Sequence, residues 1–284
     1  MFLLKSLLKY ILPYRIYQIM GAWAYHTFVL KHFSYYVYRQ LLAEKMVSRN
    51  FLFKGRKMEI VDAESFLFMH QEIFLNGTYN FSAENGAPFI LDCGANIGMS
   101  VIYFKELYPN SEILAFEPDP RIFEVLNRNM KSFDLNSVTI LNNAVCSHDG
   151  VMAFYSQGSD AGRLKNAPEI ADKINVDGVR LSKFIDRSID FLKIDIEGAE
   201  YEVLEEIKEK LEFVKNIFIE YHSFVDQEFC LDKLLGILKN NGFGVYINAP
   251  GLTAPQPFIR RPNKHGMDMQ LNIYAFKKIQ KKCI

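Results

Sequence analysis

The sequence contains few cysteines and no long apolar run, and both shortages exclude classes of protein. Its four cysteines lie far apart, without a CxxC pair or a histidine cluster, at Cys93, Cys146, Cys230 and Cys283. This spacing argues against a disulfide framework or a zinc site and indicates reduced thiols in a cytoplasmic protein. The longest uncharged N-terminal stretch, Ile16 to Leu30, has fifteen residues, whereas a membrane-spanning helix needs about 20.

Net charge is also lacking, because 33 Lys and Arg balance 33 Asp and Glu. The charges are unevenly distributed: residues 1–60 contain ten basic and two acidic side chains, and the remainder contains 23 basic and 31 acidic ones. A basic N-terminal segment on an acidic body suits contact with an anionic surface. A solvated helical extension explains the same charges equally well.

The N-terminal segment has the pattern of amphipathic helices. Apolar residues recur at helical spacing from Leu4 to Ile11, until Pro13 interrupts the pattern. We expect a helical extension over residues 1–50 and a main domain over residues 51–284. The apolar stripe is expected to pack on the main domain or on a second subunit of a homo-oligomer. Peripheral contact with the inner face of a membrane is the alternative.

In the main domain, short apolar strands alternate with helices. The sequence predicts strands at residues 51–53, 58–61, 89–92, 113–116, 138–145, 191–195, 214–220, 243–248 and 271–276. It predicts a short helix and loop at 71–79 and helices at 99–107, 121–131, 201–211 and 231–241. This alternation predicts an α/β fold with a doubly wound, mostly parallel sheet that is covered on both faces.

The strongest motif is the turn from Asp92 to Gly98, which reads Asp-Cys-Gly-Ala-Asn-Ile-Gly and joins a strand to a helix. Ligands of open α/β sheets bind at such turns. Gly94 permits a tight turn, and Gly98 permits close approach of a helix or a ligand. The spacing differs from the G-x-G-x-x-G of dinucleotide-binding proteins. Asp92 is suited to bind the ammonium group of an amino-acid ligand.

A second carboxylate, Glu117, ends the next predicted strand, 25 residues after Asp92. A carboxylate at this position typically binds the ribose hydroxyls of an adenosine ligand. Asp119, which precedes Pro120, is better suited to cap the following helix. Asp92, the two glycines and Glu117 together favour S-adenosylmethionine (SAM) over NAD.

Polar residues also follow the fourth and fifth strands of the predicted parallel sheet. Asp195, Glu197 and Glu200 follow the fourth, and Glu220 and His222 end the fifth. We expect Glu200 to stabilise the next helix through its dipole and Asp195 and Glu197 to face the cleft. The carboxyl ends of neighbouring strands lie together, so Glu220 and His222 are expected to converge with them. A purely structural role for His222 is equally open.

These segments together resemble the FkbM family of methyltransferases. The resemblance runs from about Phe51 to Phe276, and its most specific parts are Leu91 to Gly98, Ala115 to Pro120, Leu192 to Glu200 and Ile219 to His222. It implies a class I SAM-dependent methyltransferase fold with a mostly parallel seven-stranded sheet. It also implies O-methylation, often of sugars or natural products. The cofactor-binding residues implied are Asp92, Gly94, Asn96, Gly98 and Glu117.

Transfer of a methyl group to a hydroxyl requires removal of the hydroxyl proton. His222 is the first candidate for the base, since an unperturbed histidine titrates near 6.5. Asp195 is the second, because Glu197 and Glu220 raise its pKa by like-charge repulsion. The same acids suit binding of substrate hydroxyls or of a divalent metal such as Mg²⁺ or Mn²⁺. The spacing alone does not establish a metal.

The sequence also disfavours nucleic-acid acceptors. The loop after the fourth strand lacks the Asn-Pro-Pro-Tyr type of motif common in nucleobase methyltransferases, and an acidic pocket repels phosphates. We therefore expect the hydroxyl of a sugar, a glycan or another small molecule as acceptor. A non-catalytic SAM-binding or scaffold protein is the alternative, and an NAD-dependent oxidoreductase is a weaker one.

Overall fold

A computed structural model of the chain describes residues 50–156, 172–250, 256–259, 263 and 266–277. The helices expected within residues 1–49 lie outside the described residues, as does Cys283. Cys93, Cys146 and Cys230 are free thiols. Within the described ranges, no helix is long and apolar enough to cross a membrane.

The described residues form twelve strands and five α-helices. The strands are β1 (Asn50–Phe53), β2 (Arg56–Glu59), β3 (Phe89–Cys93), β4 (Glu112–Phe116), β5 (Thr139–Leu141), β6 (Ala144–Cys146), β7 (Gly150–Ser156), β8 (Asp172–Arg180), β9 (Ile189–Ile194), β10 (Val214–Phe224), β11 (Phe243–Asn248) and β12 (Met267–Lys277). The α-helices are α1 (Ala63–Met69), α2 (Met99–Leu107), α3 (Pro120–Ser132), α4 (Glu200–Glu206) and α5 (Leu231–Asn240).

Seven strands form the central sheet in the order β11-β12-β10-β9-β3-β4-β5. The pairs from β10 to β5 are parallel, and β12 is antiparallel to both of its neighbours. The predicted α/β fold with a mostly parallel seven-stranded sheet is confirmed. This order places β3, β4, β9 and β10 side by side, so the loops that carry the predicted site residues meet at one edge of the sheet.

The middle of the sheet is buried on both faces, which explains the continuous apolar runs in its strands. All six residues of β9 are buried. The central strands contribute several side chains with no solvent exposure, namely Ile90, Leu91, Leu192, Ile194 and Ile219. These strands form the rigid support on which the polar loops at the carboxyl edge are held.

Helix α1 continues directly into a π-helix at His70–Leu75. The backbone N–H of Asn76 donates to the carbonyl of Gln71, five residues earlier, at 2.9 Å. A π-turn is rare and is often found at functional sites. The predicted short helix at 71–79 therefore begins earlier, at Ala63, and ends in a widened turn.

The predicted strand at 138–145 is wrong as a single element. It divides into β5 of the central sheet and β6 of a second sheet, ordered β6-β8-β7. The side-chain amide of Asn142 donates to the carbonyls of Glu117 and Pro118 between the two strands. These bonds turn the chain away from the central ladder. The three-stranded sheet was not predicted.

The predicted helix at 201–211 is shorter than expected. Helix α4 ends at Glu206, and a 3₁₀-helix occupies Lys208–Phe213. The other predicted helices agree closely: α2 begins and ends where expected, α3 is longer by one residue at each end, and α5 ends one residue earlier. Asp119 caps α3, as expected, by accepting from the backbone N–H of Arg121.

Candidate active site

A cavity lies at the carboxyl edge of the central sheet. The loops after β3, β4 and β9, residue Glu220 of β10, and the π-helix with the loop that follows it all contribute to its lining. Of the nine residues predicted for the site, six line this cavity: Gly94, Asn96, Glu117, Asp195, Glu197 and Glu220. The other three, Asp92, Gly98 and His222, are absent from its wall.

The turn after β3 lies directly against the turn after β9. Gly94 has a φ of +90°, and a Cβ at this position would overlap the backbone carbonyl oxygen of Asp195. The backbone N–H groups of Gly94 and Ala95 both donate to the carbonyl of Phe116, at 3.0 and 2.8 Å. Only glycine combines this conformation with this closeness. The turn leaves a backbone surface without side-chain bulk on the cavity wall.

Glu117 is buried immediately after β4, and its carboxylate holds two loops together. Its Oε2 accepts from the backbone N–H of Asn96 at 2.9 Å, and its Oε1 accepts from that of Asp119 at 2.9 Å. Burial raises the pKa of Glu117 to about 8, although these two bonds oppose the rise. A carboxylate has about four acceptor positions, so two remain for donors in the cavity.

Two residues predicted to bind the cofactor, Asp92 and Gly98, do not line the cavity. They support the residues around it. Asp92 has no solvent exposure and accepts from Ser100 Oγ at 2.5 Å. Its expected contact with a ligand ammonium group does not fit this burial, because the carboxylate is enclosed between Ser100 and Lys193. A Cβ on Gly98 would collide with Leu126 and Met130. Gly98 therefore permits packing against α3 and does not approach the cavity.

Lys193 is a buried cation to which the sequence analysis assigned no role. Its Nζ lies 3.3 Å from Asp92 Oδ1 and 3.1 Å from Asp195 Oδ2, and it donates to the carbonyl of Gly94 at 2.8 Å. Burial lowers the pKa of Lys193, but Asp195 and Asp92 outweigh burial and hold it well above the usual value. The sequence signal that could have identified Lys193 is the presence of a lysine within the apolar strand β9.

The predicted convergence of β9 and β10 residues is observed. His222 Nε2 lies 3.7 Å from Glu220 Oε1 and 3.8 Å from Glu197 Oε2. Asp195, Glu220 and His222 each place one donor atom within 4.8 Å of the others. Glu197 has a positive φ of 55°, which is strained for a residue with a side chain and is typical of functional turns. Burial raises the pKa of Glu197 to about 8.

Glu200 has a larger part in this cluster than the sequence indicated. It begins α4, as expected, but it is almost fully buried. Its Oε1 accepts from His222 Nδ1 at 2.8 Å and from the backbone N–H of Gly198 at 2.9 Å. Glu200 therefore determines the orientation of the imidazole ring.

His222, the first candidate for the base, is buried among carboxylates. Burial lowers the pKa of His222, but the carboxylates of Glu197 and Glu200 outweigh burial, and the pKa lies well above 6.5. His222 is buried and absent from the cavity wall, whereas Glu197 and Glu220 line it. The expectation that His222 is the first candidate for the base stays a prediction, and the carboxylates on the cavity wall are the alternatives to it.

The π-helix contributes a further carboxylate to the cavity lining, that of Glu72. It accepts from the side-chain amide of Asn76 at 2.9 Å and from the hydroxyl of Thr78 at 3.4 Å. Its pKa is raised, chiefly by burial and also by Glu220. Glu72 was not predicted, because its segment has no motif. It adds a carboxylate to the acidic lining of the cavity.

The sheet order, the glycine turn after β3 and the carboxylate after β4 define a class I methyltransferase. The protein family described as Methyltransferase FkbM domain matches residues 92–245, which is more than half of the chain. The chain belongs to this family.

Three known proteins illustrate the similarity. Methyltransferase 1 of Beauveria bassiana is 30% identical over 214 residues, covering 66% of this chain and 85% of that one. The 2-O-methyltransferase NoeI of Sinorhizobium fredii is 28% identical over 166 residues, covering 51% and 66%. The crystal structure of methyltransferase FkbM from Methylobacillus flagellatus is 17% identical with a TM-score of 0.47, covering 72% of this chain and 48% of that one. The chain thus spans about half the length of that protein.

Proposed function

We propose that this methyltransferase uses SAM and transfers its methyl group to a hydroxyl of a sugar, a glycan or a related small molecule. The observation that carries the proposal is the acidic cluster at the ends of β9 and β10, which lies in the same cavity as Glu117 and Gly94. One cavity thus contains residues suited to hold a nucleoside and residues suited to bind and deprotonate a hydroxyl.

The residues after β3 and β4 fit SAM. Glu117 retains acceptor capacity for both ribose hydroxyls after its two backbone bonds. The bare backbone at Gly94 admits a ligand close to the strand end. When bound, SAM supplies a methyl group that its sulfonium already activates. Asn96, whose backbone N–H is held by Glu117, completes this side of the cavity.

The acidic residues fit a neutral acceptor that donates hydrogen bonds. Six carboxylates line the cavity, belonging to Glu72, Glu117, Asp119, Asp195, Glu197 and Glu220, against one lysine. Such a lining favours hydroxyl groups and disfavours phosphates. The relative NoeI is by name a 2-O-methyltransferase, which supports oxygen as the methylated atom.

Glu197 is our candidate for the group that accepts the hydroxyl proton. Its carboxylate lies on the cavity wall and close to the imidazole of His222. A base acts within hydrogen-bond reach of the proton that it removes, and the cavity wall permits this approach. Asp195, which contacts Lys193, is expected to position the acceptor. Holding two reactants in near-attack geometry contributes roughly 7–11 kcal/mol.

The test is to incubate the full-length protein with isotopically labelled SAM and fractionated cell glycans. Mass spectrometry of the products should reveal a labelled methyl ether on one glycan fraction. Calorimetry should show binding of SAM and no binding of NAD. Bound SAM without methylation of any glycan or small hydroxyl compound would contradict the proposal and favour a scaffold role.

For residues 1–45 we propose, from their sequence pattern, packing on the catalytic domain or on a second subunit. Deletion of these residues should reduce stability or dissociate a dimer. Binding to anionic vesicles that requires residues 1–45 and disappears in high salt would instead support membrane contact.

A further inference from the structure

We propose that Asp195, Glu220 and His222 bind one divalent cation of the Mg²⁺ or Mn²⁺ class. The proposal deepens the proposed methyl-transfer function and rests on it for the role of the ion. The binding test described below does not depend on activity.

The three side chains are spaced as ligands of a single ion. One donor atom from each lies within 4.8 Å of the other two. Octahedral Mg²⁺ has ligand bonds of about 2.1 Å, so opposite donors are about 4.2 Å apart. Adjacent donors of such an ion are about 3.0 Å apart, so the three atoms would move closer together on binding. Two carboxylates and one imidazole form a mainly oxygen set, which suits Mg²⁺ or Mn²⁺ better than a soft metal.

The orientation of His222 also fits a ligand. Its Nδ1 is bound to the buried carboxylate of Glu200 at 2.8 Å, so its Nε2 is directed toward Glu220 and Glu197. Metal-binding histidines commonly have this arrangement, in which a carboxylate binds one ring nitrogen and the metal binds the other. Glu200 is thus a positioning residue for the proposed site.

Asn272 provides an independent observation. It lies opposite Glu220 in the antiparallel register of β10 and β12, and residues directly opposite each other project to the same face of a sheet. Asn272 is 2% exposed and lines the cavity. Among the described residues, its buried side-chain oxygen has no hydrogen-bond partner. A buried acceptor of this kind is normally satisfied, and amide oxygens are ligands or water-mediated partners of hard cations.

The local charge favours a cation. Lys193 contacts one oxygen of Asp195, at 3.1 Å, and also contacts Asp92. Lys193 and a protonated His222 would carry two positive charges against the four carboxylates of Asp195, Glu197, Glu200 and Glu220. A bound divalent ion would supply positive charge to the cluster, where it would orient an acceptor oxygen and lower the pKa of its proton.

The test is Mn²⁺ binding to the full-length protein, measured by electron paramagnetic resonance titration. We expect one Mn²⁺ per chain, displaced by Mg²⁺. Asp195→Asn and Glu220→Gln should each weaken Mn²⁺ affinity at least tenfold. Glu200→Gln, which leaves the three ligands in place, should weaken it about 10- to 100-fold. Glu124→Gln is the matched control, an exposed carboxylate of α3 outside the cavity, and should leave affinity unchanged.

A second measurement does not require any variant to fold. Pulsed electron paramagnetic resonance of the Mn²⁺ complex should show coupling to a directly bound ¹⁴N of His222. Lack of stoichiometric Mn²⁺ binding, lack of nitrogen coupling, or full affinity in both carboxylate variants would overturn the site. If the protein binds no Mn²⁺ and methyl transfer continues in the presence of a chelator, the metal site would be overturned while the proposed function would stand. Stoichiometric, nitrogen-coupled Mn²⁺ without methyl transfer would support the site and count against the proposed function.

Discussion

Glu117→Gln should weaken SAM binding at least tenfold while the protein remains folded. Two ribose hydroxyls would use the two acceptor positions that the backbone bonds leave available. A hydrogen bond to a charged group contributes about 1.5–3 kcal/mol, and 1.4 kcal/mol corresponds to a tenfold change in affinity. Loss of the charge on one such bond therefore weakens SAM affinity roughly tenfold, and loss on both weakens it considerably more.

Glutamine is the informative replacement because its side-chain oxygen still accepts from one buried backbone N–H. Glu117→Ala would leave the N–H groups of both Asn96 and Asp119 without this acceptor, at about 1–3 kcal/mol each, and would confuse binding with folding. Isothermal calorimetry gives the affinity, and thermal unfolding checks the fold. Glu124→Gln, on the exposed side of α3, is the matched control. Unchanged SAM affinity in folded Glu117→Gln would refute the assignment.

The same residue predicts how SAM affinity depends on pH. The pKa of Glu117 is about 8 in this structure, and ribose donors favour the ionised form. Affinity should therefore rise as pH increases from about 6.5 to about 8, with release of a proton on binding. Glu117→Gln should remove its part of this dependence. Calorimetry in buffers of different ionisation enthalpy would detect the released proton, and an identical pH profile in the variant would contradict the reasoning.

Three further predictions concern catalysis and stability. Glu197→Gln should leave SAM affinity within about threefold but slow single-turnover methyl transfer by about 100- to 10,000-fold, and a rate near that of the parent would exclude Glu197 as the base. Gly94→Ala should destabilise the fold by at least about 2 kcal/mol, because its Cβ would overlap the carbonyl of Asp195 at a positive φ; Gly86→Ala, which has open space and an ordinary φ, is the control in chemical unfolding. Burial lowers the pKa of His70 from 6.5 to about 4, so its neutral form stabilises the fold above about pH 6.5, and this contribution, up to about 3 kcal/mol, is lost as pH falls toward 4. The free energy of unfolding of His70→Phe should lack this component, and parallel curves for the two proteins between pH 4 and 6.5 would show that His70 does not titrate in this way.

The central fold was predictable because its signals are local. Each central strand is an apolar run, and helices α2, α3 and α5 lie between strands at ordinary spacings. Asp119 and Pro120 indicate where α3 begins without reference to any distant residue. The second sheet was missed although β8 alternates polar and apolar residues, a pattern typical of half-buried strands; its pairing with β7 is not visible in the sequence. Where Asn142 turns the chain, the deciding bonds reach back to residues 117 and 118.

The sequence predicted part of the membership of the candidate site but not its internal arrangement. A carboxylate at the end of a strand is visible in the sequence, which is why Glu117, Asp195 and Glu220 were identified. Whether a charge is enclosed or open depends on partners distant in the chain. Lys193 bonds to the turn at Gly94, almost a hundred residues away, and this contact encloses Asp92. The role of Glu200 likewise depends on His222, which belongs to another strand.

The π-helix at His70–Leu75 has a consequence for how acceptor choice changes during evolution. A π-turn contains one residue more than an α-helical turn, so deletion of one residue before Glu72 would restore α-helical spacing. Each residue of an α-helix is rotated by about 100° from the last, and the deletion would therefore turn Glu72 away from the cavity. Such a deletion would remove a carboxylate from the cavity wall without altering the sheet or the residues proposed to hold SAM. If the proposed acceptor binds in this cavity, the length of this segment, as well as its residue types, is thus a variable on which selection for new acceptors is able to act.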